Sequence, residues 1–169
     1  MPEIIFDTCV LSNFALSGSF DLIKRLYERR AYVSNYVAAE IMRGLQRGYG
    51  DLIVIQQAID EGWLKELNLE SKEEKSLFFR LSISLGLGEA SSISLAKSRG
   101  LVFASDDVVA RREAALLGIS LTGTLGILSK AKKKKLISLK KADQVLQRMI
   151  NHGFHSPVRS LKDLPSPQK

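Results

Sequence analysis

A chain of 169 residues with 45% hydrophobic and 25% charged residues has the proportions of an ordinary soluble globular protein and is long enough for one domain with a real core. Its single cysteine, Cys9, excludes an internal disulfide, and no run approaches the ~20 apolar residues of a membrane helix. The net charge of +7 is local: residues 129–141 (SKAKKKKLISLKK) hold seven lysines and no acid, and the other 18 Lys and Arg balance 18 Asp and Glu.

The N-terminus, MPEIIFDTCVL, has an early acid and no basic region, so no secretory signal is expected and a cytoplasmic location follows. IIF (4–6) reads as a strand, and residues 20–28 as a helix with Leu22, Ile23, Leu26 and Tyr27 as its apolar stripe. A short strand at 32–34 leads into a helix over 35–46, capped by Ser34 or Asn35, with Val37, Ile41 and Leu45 four apart. A helix over 51–61, an alternating strand WLKEL (63–67) and a helix over 73–85 follow. The Ala- and Ser-rich helix 89–99 suits close packing on a sheet, and Gly100 is its stop. LVFA (101–104) is the clearest buried strand; Ser105 is expected to cap a helix to about Leu117. ISLTG (119–123) is a further strand, with helices over 124–134 and about 139–151 beyond it.

Strands alternating with helices imply a three-layer α/β/α sandwich with a central, mainly parallel sheet. One domain over 1–152 is expected, with a frayed tail over 153–169, where three prolines and several serines gather.

In an open parallel sheet, functional groups collect beyond the carboxyl ends of the strands, at a switch in strand order. Asp7 and the pair Asp106–Asp107 fall just past two such ends, Glu89 at a helix start, and Glu40 one turn into a helix that follows a strand. Each acid has a local explanation. Asp106, Asp107 and Glu89 sit in first turns, where the helix dipole favours acids, and Asp107 can pair with Arg111 at i+4. Glu40 alone would be a solvated face residue, and Asp7 could close an Asx-type turn beside Thr8 and Ser12. Taken together, converging carboxylates need a counter-charge, and a hard divalent cation is the usual one.

The stretches IIFDTCVLSNFALSGSFDLIKRL, VSNYVAAEI, GLGEASSISLAKSRG and VFASDDVVARREAALLGISLTGTLGILSKAKKKKLI together resemble a PIN domain, the small α/β nuclease module of VapC-type toxins, over roughly residues 3–137. The resemblance implies an RNA-hydrolysing site built on Asp7, Glu40, Glu89 and Asp107, with Asp106 as a helper. Glu89 departs from the toxins, where Asp is frequent. Mg²⁺ or Mn²⁺ would be held by Asp7, Glu89, Asp106 and Asp107, and cleavage would leave a 5′-phosphate and a 3′-hydroxyl. Ser105 stands where the family has a small hydroxyl residue. The resemblance also implies an antitoxin partner and a homodimer; Phe78 and Phe79 are candidates either for the dimer contact or for the core.

Further substrate contacts are expected from Thr8, Ser12, Ser105, Arg111, Thr124 and the run Lys132, Lys133 and Lys134. Thr122–Thr124 join a strand to a helix start, where backbone N–H groups receive phosphates. The lysines would track a phosphate backbone if their face adjoins the acids. His152 and His155 read as surface residues. A PIN-like binding module without catalysis is the alternative. A haloacid-dehalogenase-type phosphatase is disfavoured because it needs a second Asp where Cys9 stands, and a receiver domain lacks its late lysine.

Overall fold

The computed structural model describes residues 1–165. In chain order its elements are β1 (Ile4–Phe6), α1 (Thr8–Leu16), α2 (Asp21–Tyr27), β2 (Ala31–Ser34), α3 (Asn35–Gln46), α4 (Ile53–Asp60), β3 (Leu64–Leu67), α5 (Lys72–Leu81), α6 (Leu87–Arg99), β4 (Val102–Ala104), α7 (Val108–Leu116), β5 (Leu121–Thr122), α8 (Thr124–Lys133) and α9 (Leu139–Asn151). The strands form one parallel sheet in the order β3-β2-β1-β4-β5.

Side-chain alternation along the strands builds a core on each face of that sheet. Ile4, Phe6, Ala31, Val33 and Ala104 point into one cluster with the apolar stripes of α1–α4, α8 and α9. Ile5 and Phe103 point into the other, against α5, α6 and α7. The three-layer α/β/α architecture follows.

The strand order reverses beside β1. From β1 the chain proceeds to β2 and β3 on one side, then crosses back to β4 and β5 on the other. The crevice past the carboxyl ends of β1 and β4 is therefore the switch point. Register places Phe6 opposite Ala104, and Asp7 N donates to Ala104 O at 2.9 Å. Whatever follows Phe6 and Ala104 in sequence must meet there.

Several elements differ from the sequence reading. Residues 8–16, given no helix, form α1: Asp7 caps it, and Val10, Leu11, Phe14 and Ala15 form its buried stripe. Asp107, not Ser105, caps α7, accepting from Ala110 N at 2.7 Å. The helix expected to reach Leu85 ends at Leu81 and closes through turns at Ser82–Leu85. The stretch expected to fray from Gly153 packs on the body as far as it is described. Gly153 turns the chain with φ of +101°, Phe154 N donates to Met149 O at 3.0 Å, and Leu161 is buried. Asp143 secures it by accepting from Ser160 Oγ at 2.8 Å and Leu161 N at 2.9 Å. The last part of the expected tail, 166–169, lies outside the described residues.

Candidate active site

A pocket of about 460 Å³ opens at the switch point and gathers Asp7, Glu40, Glu89 and the adjacent pair Asp106 and Asp107 from four separate places in the chain. Asp7 is its floor. As the residue between β1 and α1 it is only 3% exposed, and its Oδ1 accepts from Thr8 N at 2.7 Å. Its Oδ2 accepts from Ser105 Oγ at 2.9 Å and from Cys9 Sγ at 3.3 Å. Burial, reinforced by the charge of Glu89, raises the Asp7 carboxyl from its ordinary 3.8 to about 6.

Glu40 reaches in from α3 and accepts from Thr8 Oγ1. Gly88 makes room for it: a Cβ there would stand 2.6 Å from Glu40 Oε1. Glu89, on the first turn of α6, folds back so that Oε2 accepts from Gly86 N at 2.8 Å, one half of a capping box. Its pKa is raised, first by burial and then by the charges of Asp107 and Glu40. Asp107 caps α7, and its own N–H donates to Ser105 Oγ at 3.1 Å. Asp106 lines the pocket as well, but its carboxylate serves as a brace. Its carboxylate accepts from Thr124 N at 2.9 Å, Thr124 Oγ1 at 2.6 Å and Asn13 Nδ2 at 3.1 Å.

These contacts revise four of the expected substrate-binding residues. Ser105 is fully buried and bridges Asp7 to Asp107. Arg111 does not pair with Asp107; its Nη1 donates to Ser105 O and Thr122 O, both at 2.7 Å, tying β4 to β5. Thr124 gives both its N–H and its hydroxyl to Asp106, so the start of α8 already holds a carboxylate where a phosphate was expected. Ser12 lies on α1 away from the pocket lining, whereas Thr8 lies in it.

The lysine run is also remote. Thr124 at the start of α8 touches the site, and at ~1.5 Å per residue Lys132–Lys134 lie about 12–15 Å further along the axis. Lys130, one turn earlier, already sits 4.8 Å from the Tyr27 ring, just before β2.

Sequence reasoning missed Asn13, Gly88, Phe154 and His155. Asn13 becomes visible only once α1 is recognised, through the Asp cap and the 10, 11, 14, 15 stripe. Phe154 and His155 line the pocket because the turn at Gly153 carries them back over it; nothing local to those residues signals it. Cys9 lines the pocket too, but burial and the Asp7 charge push its thiol well above the usual range, so it stays protonated.

The charge balance decides what the pocket can hold. Among the described residues no Lys or Arg lines it, and none of the ion pairs (Lys24–Glu61, Arg99–Glu70, Arg99–Glu74) involves its acids. Clustered oxygen donors, two of them (Asp7 and Glu89) with raised pKa values, and no counter-charge suit a hard cation such as Mg²⁺ or Mn²⁺. Among the described residues no three His, Cys, Asp or Glu side chains are arranged so that they could hold a metal ion together as they stand.

A family model described as PIN domain matches residues 3–164. Among solved structures, the DNA-bound VapBC of Salmonella typhimurium is similar at 18% identity and a TM-score of 0.56, over 73% of this chain and 99% of that one. VapBC2 of Rickettsia felis, bound to a DNA fragment from its promoter, is similar at 14% identity and a TM-score of 0.52, over 71% and 97%. A Pyrobaculum aerophilum protein is similar at 18% identity and a TM-score of 0.51, over 76% and 96%. At these identities the likeness is one of fold. No curated protein matches the chain.

Proposed function

Because the chain belongs to the PIN domain family, we propose that its pocket is the site of a metal-dependent endoribonuclease. One observation carries this reading: the acid-lined crevice at the sheet's switch point has no counter-charge of its own. A bound Mg²⁺ or Mn²⁺ supplies that charge, together with activation of water and stabilisation of the phosphate.

The chain's own residues do the rest. Asp7 and Asp107 would hold the cation, and Ser105, hydrogen-bonded to the Asp7 carboxylate and the Asp107 N–H, ties the two residues together. Glu40 and Glu89 come from two other helices and orient the attacking water. Thr8 holds Glu40 in place. Asp106, Asn13 and Thr124 lock α1 to α8 and keep the crevice open. Hydrolysis places the attacking oxygen on phosphorus and expels the ribose 3′-oxygen, leaving a 5′-phosphate and a 3′-hydroxyl.

Cleavage of end-labelled RNA tests the reading. Activity should require Mg²⁺ or Mn²⁺, cease in EDTA, and be lost in Asp7→Asn. Cleavage by Asp7→Asn at the wild-type rate would leave a PIN-like binding module, with any activity in the sample coming from elsewhere.

The reading extends to partners: an antitoxin of the VapB kind and a second copy of this chain. Phe78 is buried and stacks on Tyr36 at 4.9 Å, so it serves the core, whereas Phe79 and Ile83 are exposed and free for a dimer contact. Light scattering on Phe79→Asp/Ile83→Asp should give monomer where the wild type gives dimer; identical masses would remove this face from the interface.

A further inference from the structure

The carboxylate pocket adjoins a second groove, of about 500 Å³, and the two share Asp106, Phe154 and His155 as a common wall. The groove lies between the starts of α7 and α8. Val108, Leu121 and Leu125 give it apolar sides, while Gly123 and Gly126 line it with backbone alone. Val108, on the groove's lining, is 78% exposed.

The shared wall is fixed. Phe154 packs on the core cluster, its N–H donates to Met149 O at 3.0 Å, and its carbonyl accepts from Ser156 N at 3.1 Å. His155 beside it is exposed. Among the described residues Asp106 is the one acid in the groove and has its carboxylate taken up by Thr124 and Asn13, Arg111 beside it directs Nη1 to the carbonyls of Ser105 and Thr122, and the remaining side chains are mostly apolar or aromatic. Its volume falls within the ~300–1,000 Å³ of small-ligand sites. Unstacked bases of single-stranded RNA are held on aromatic side chains in slots of this kind.

We propose that this groove is a nucleobase subsite: the nucleotide next to the scissile phosphate leaves the strand's stack and lies against Phe154 and His155. The proposal rests on the reading of the acid pocket as an RNA-cleaving site. It assigns the segment after α9 to substrate positioning and makes single-stranded RNA the substrate.

The test uses a single-stranded RNA whose cleaved bond has been mapped. An abasic nucleotide beside that bond should raise KM about tenfold for the wild type and leave kcat nearly unchanged. His155→Ala should raise KM for the intact RNA by a similar factor and erase the abasic penalty, and His155→Tyr should restore both. With 2-aminopurine at the same position, binding to Asp7→Asn should quench its fluorescence, and adding His155→Ala should relieve the quenching. Equal KM for abasic and intact RNA, or an unquenched probe in RNA shown by anisotropy to be bound, would overturn the subsite and leave the ribonuclease reading standing. RNA neither bound nor cleaved by the wild type would overturn both.

Discussion

Replacing Asp7 by Asn should stabilise the cation-free protein at neutral pH while removing its activity. In the folded state the Asp7 carboxyl titrates at about 6 instead of 3.8, chiefly because it is buried. Between those values the folded protein keeps a proton that the unfolded chain has released, so this group makes stability fall as pH rises from about 4 to about 6. The full penalty is present above pH 6. At about 1.4 kcal/mol per pKa unit it amounts to about 3 kcal/mol.

Asn is as good an N-cap as Asp, so the contact to Thr8 N survives the change. The bond from the Ser105 hydroxyl is weakened, which makes 3 kcal/mol the upper bound. In a protein of this size 1 kcal/mol moves Tm by about 2–4 °C, so Asp7→Asn should melt about 4–10 °C higher at pH 7.5 in EDTA. At pH 3.5 the two proteins should melt together. Thermal unfolding followed by circular dichroism at both pH values measures the difference. A variant that melts at or below the wild type at pH 7.5, or a gap that ignores pH, would refute the view that Asp7 is an uncompensated buried carboxylate.

Three other outcomes are expected. Gly88→Ala displaces the flexible Glu40 carboxylate, so RNA cleavage should drop at least tenfold with Tm within about 2 °C of the wild type; full activity would remove Glu40 from the mechanism. Arg99 donates to the buried Glu74 at 2.9 Å and 3.3 Å and is the main cause holding that carboxyl at about 2 instead of 4.5. Its contribution is complete above pH 4.5 and lost as pH falls toward 2, so Arg99→Ala should cost about 2–3 kcal/mol in urea unfolding at pH 7 and little near pH 2; a pH-independent loss would point to packing. Changing Lys132, Lys133 and Lys134 to Gln should flatten the salt dependence of long-RNA binding by about 2 in log–log slope. Cleavage of a short oligonucleotide should not change, because these lysines lie far from the pocket. An unchanged slope would take them off the RNA path.

The sheet was legible in the sequence because IIF and LVFA are short apolar runs with an acid one or two residues beyond, and alternation with helices left parallel pairing as the natural arrangement. Asp7 and the pair Asp106–Asp107 were legible for the same reason, a carboxylate just past a buried strand, whereas Glu40 and Glu89 lie on helices and stood out only through the resemblance of the whole pattern. The assignments that changed turn on which partner a hydroxyl or guanidinium chooses. Ser105, Arg111 and Thr124 were expected to face substrate, yet each satisfies a buried group instead, a choice set by three-dimensional proximity to Asp7, Thr122 O and Asp106. Phe154 and His155 escaped notice because a Pro- and Ser-rich stretch reads as a tail, and what holds it to the body is long-range: capping by Asp143 and the packing of Phe154 and Leu161 on the core.

Cation binding by the acid pocket is the property on which the proposed chemistry depends most directly. Isothermal titration with Mn²⁺ should give a saturable isotherm for the wild type and none for Asp7→Asn/Asp107→Asn, with RNA cleavage in the same buffer rising and vanishing in step. A wild type that binds no Mn²⁺, or a double variant that binds it as well as the wild type, would contradict the proposed chemistry.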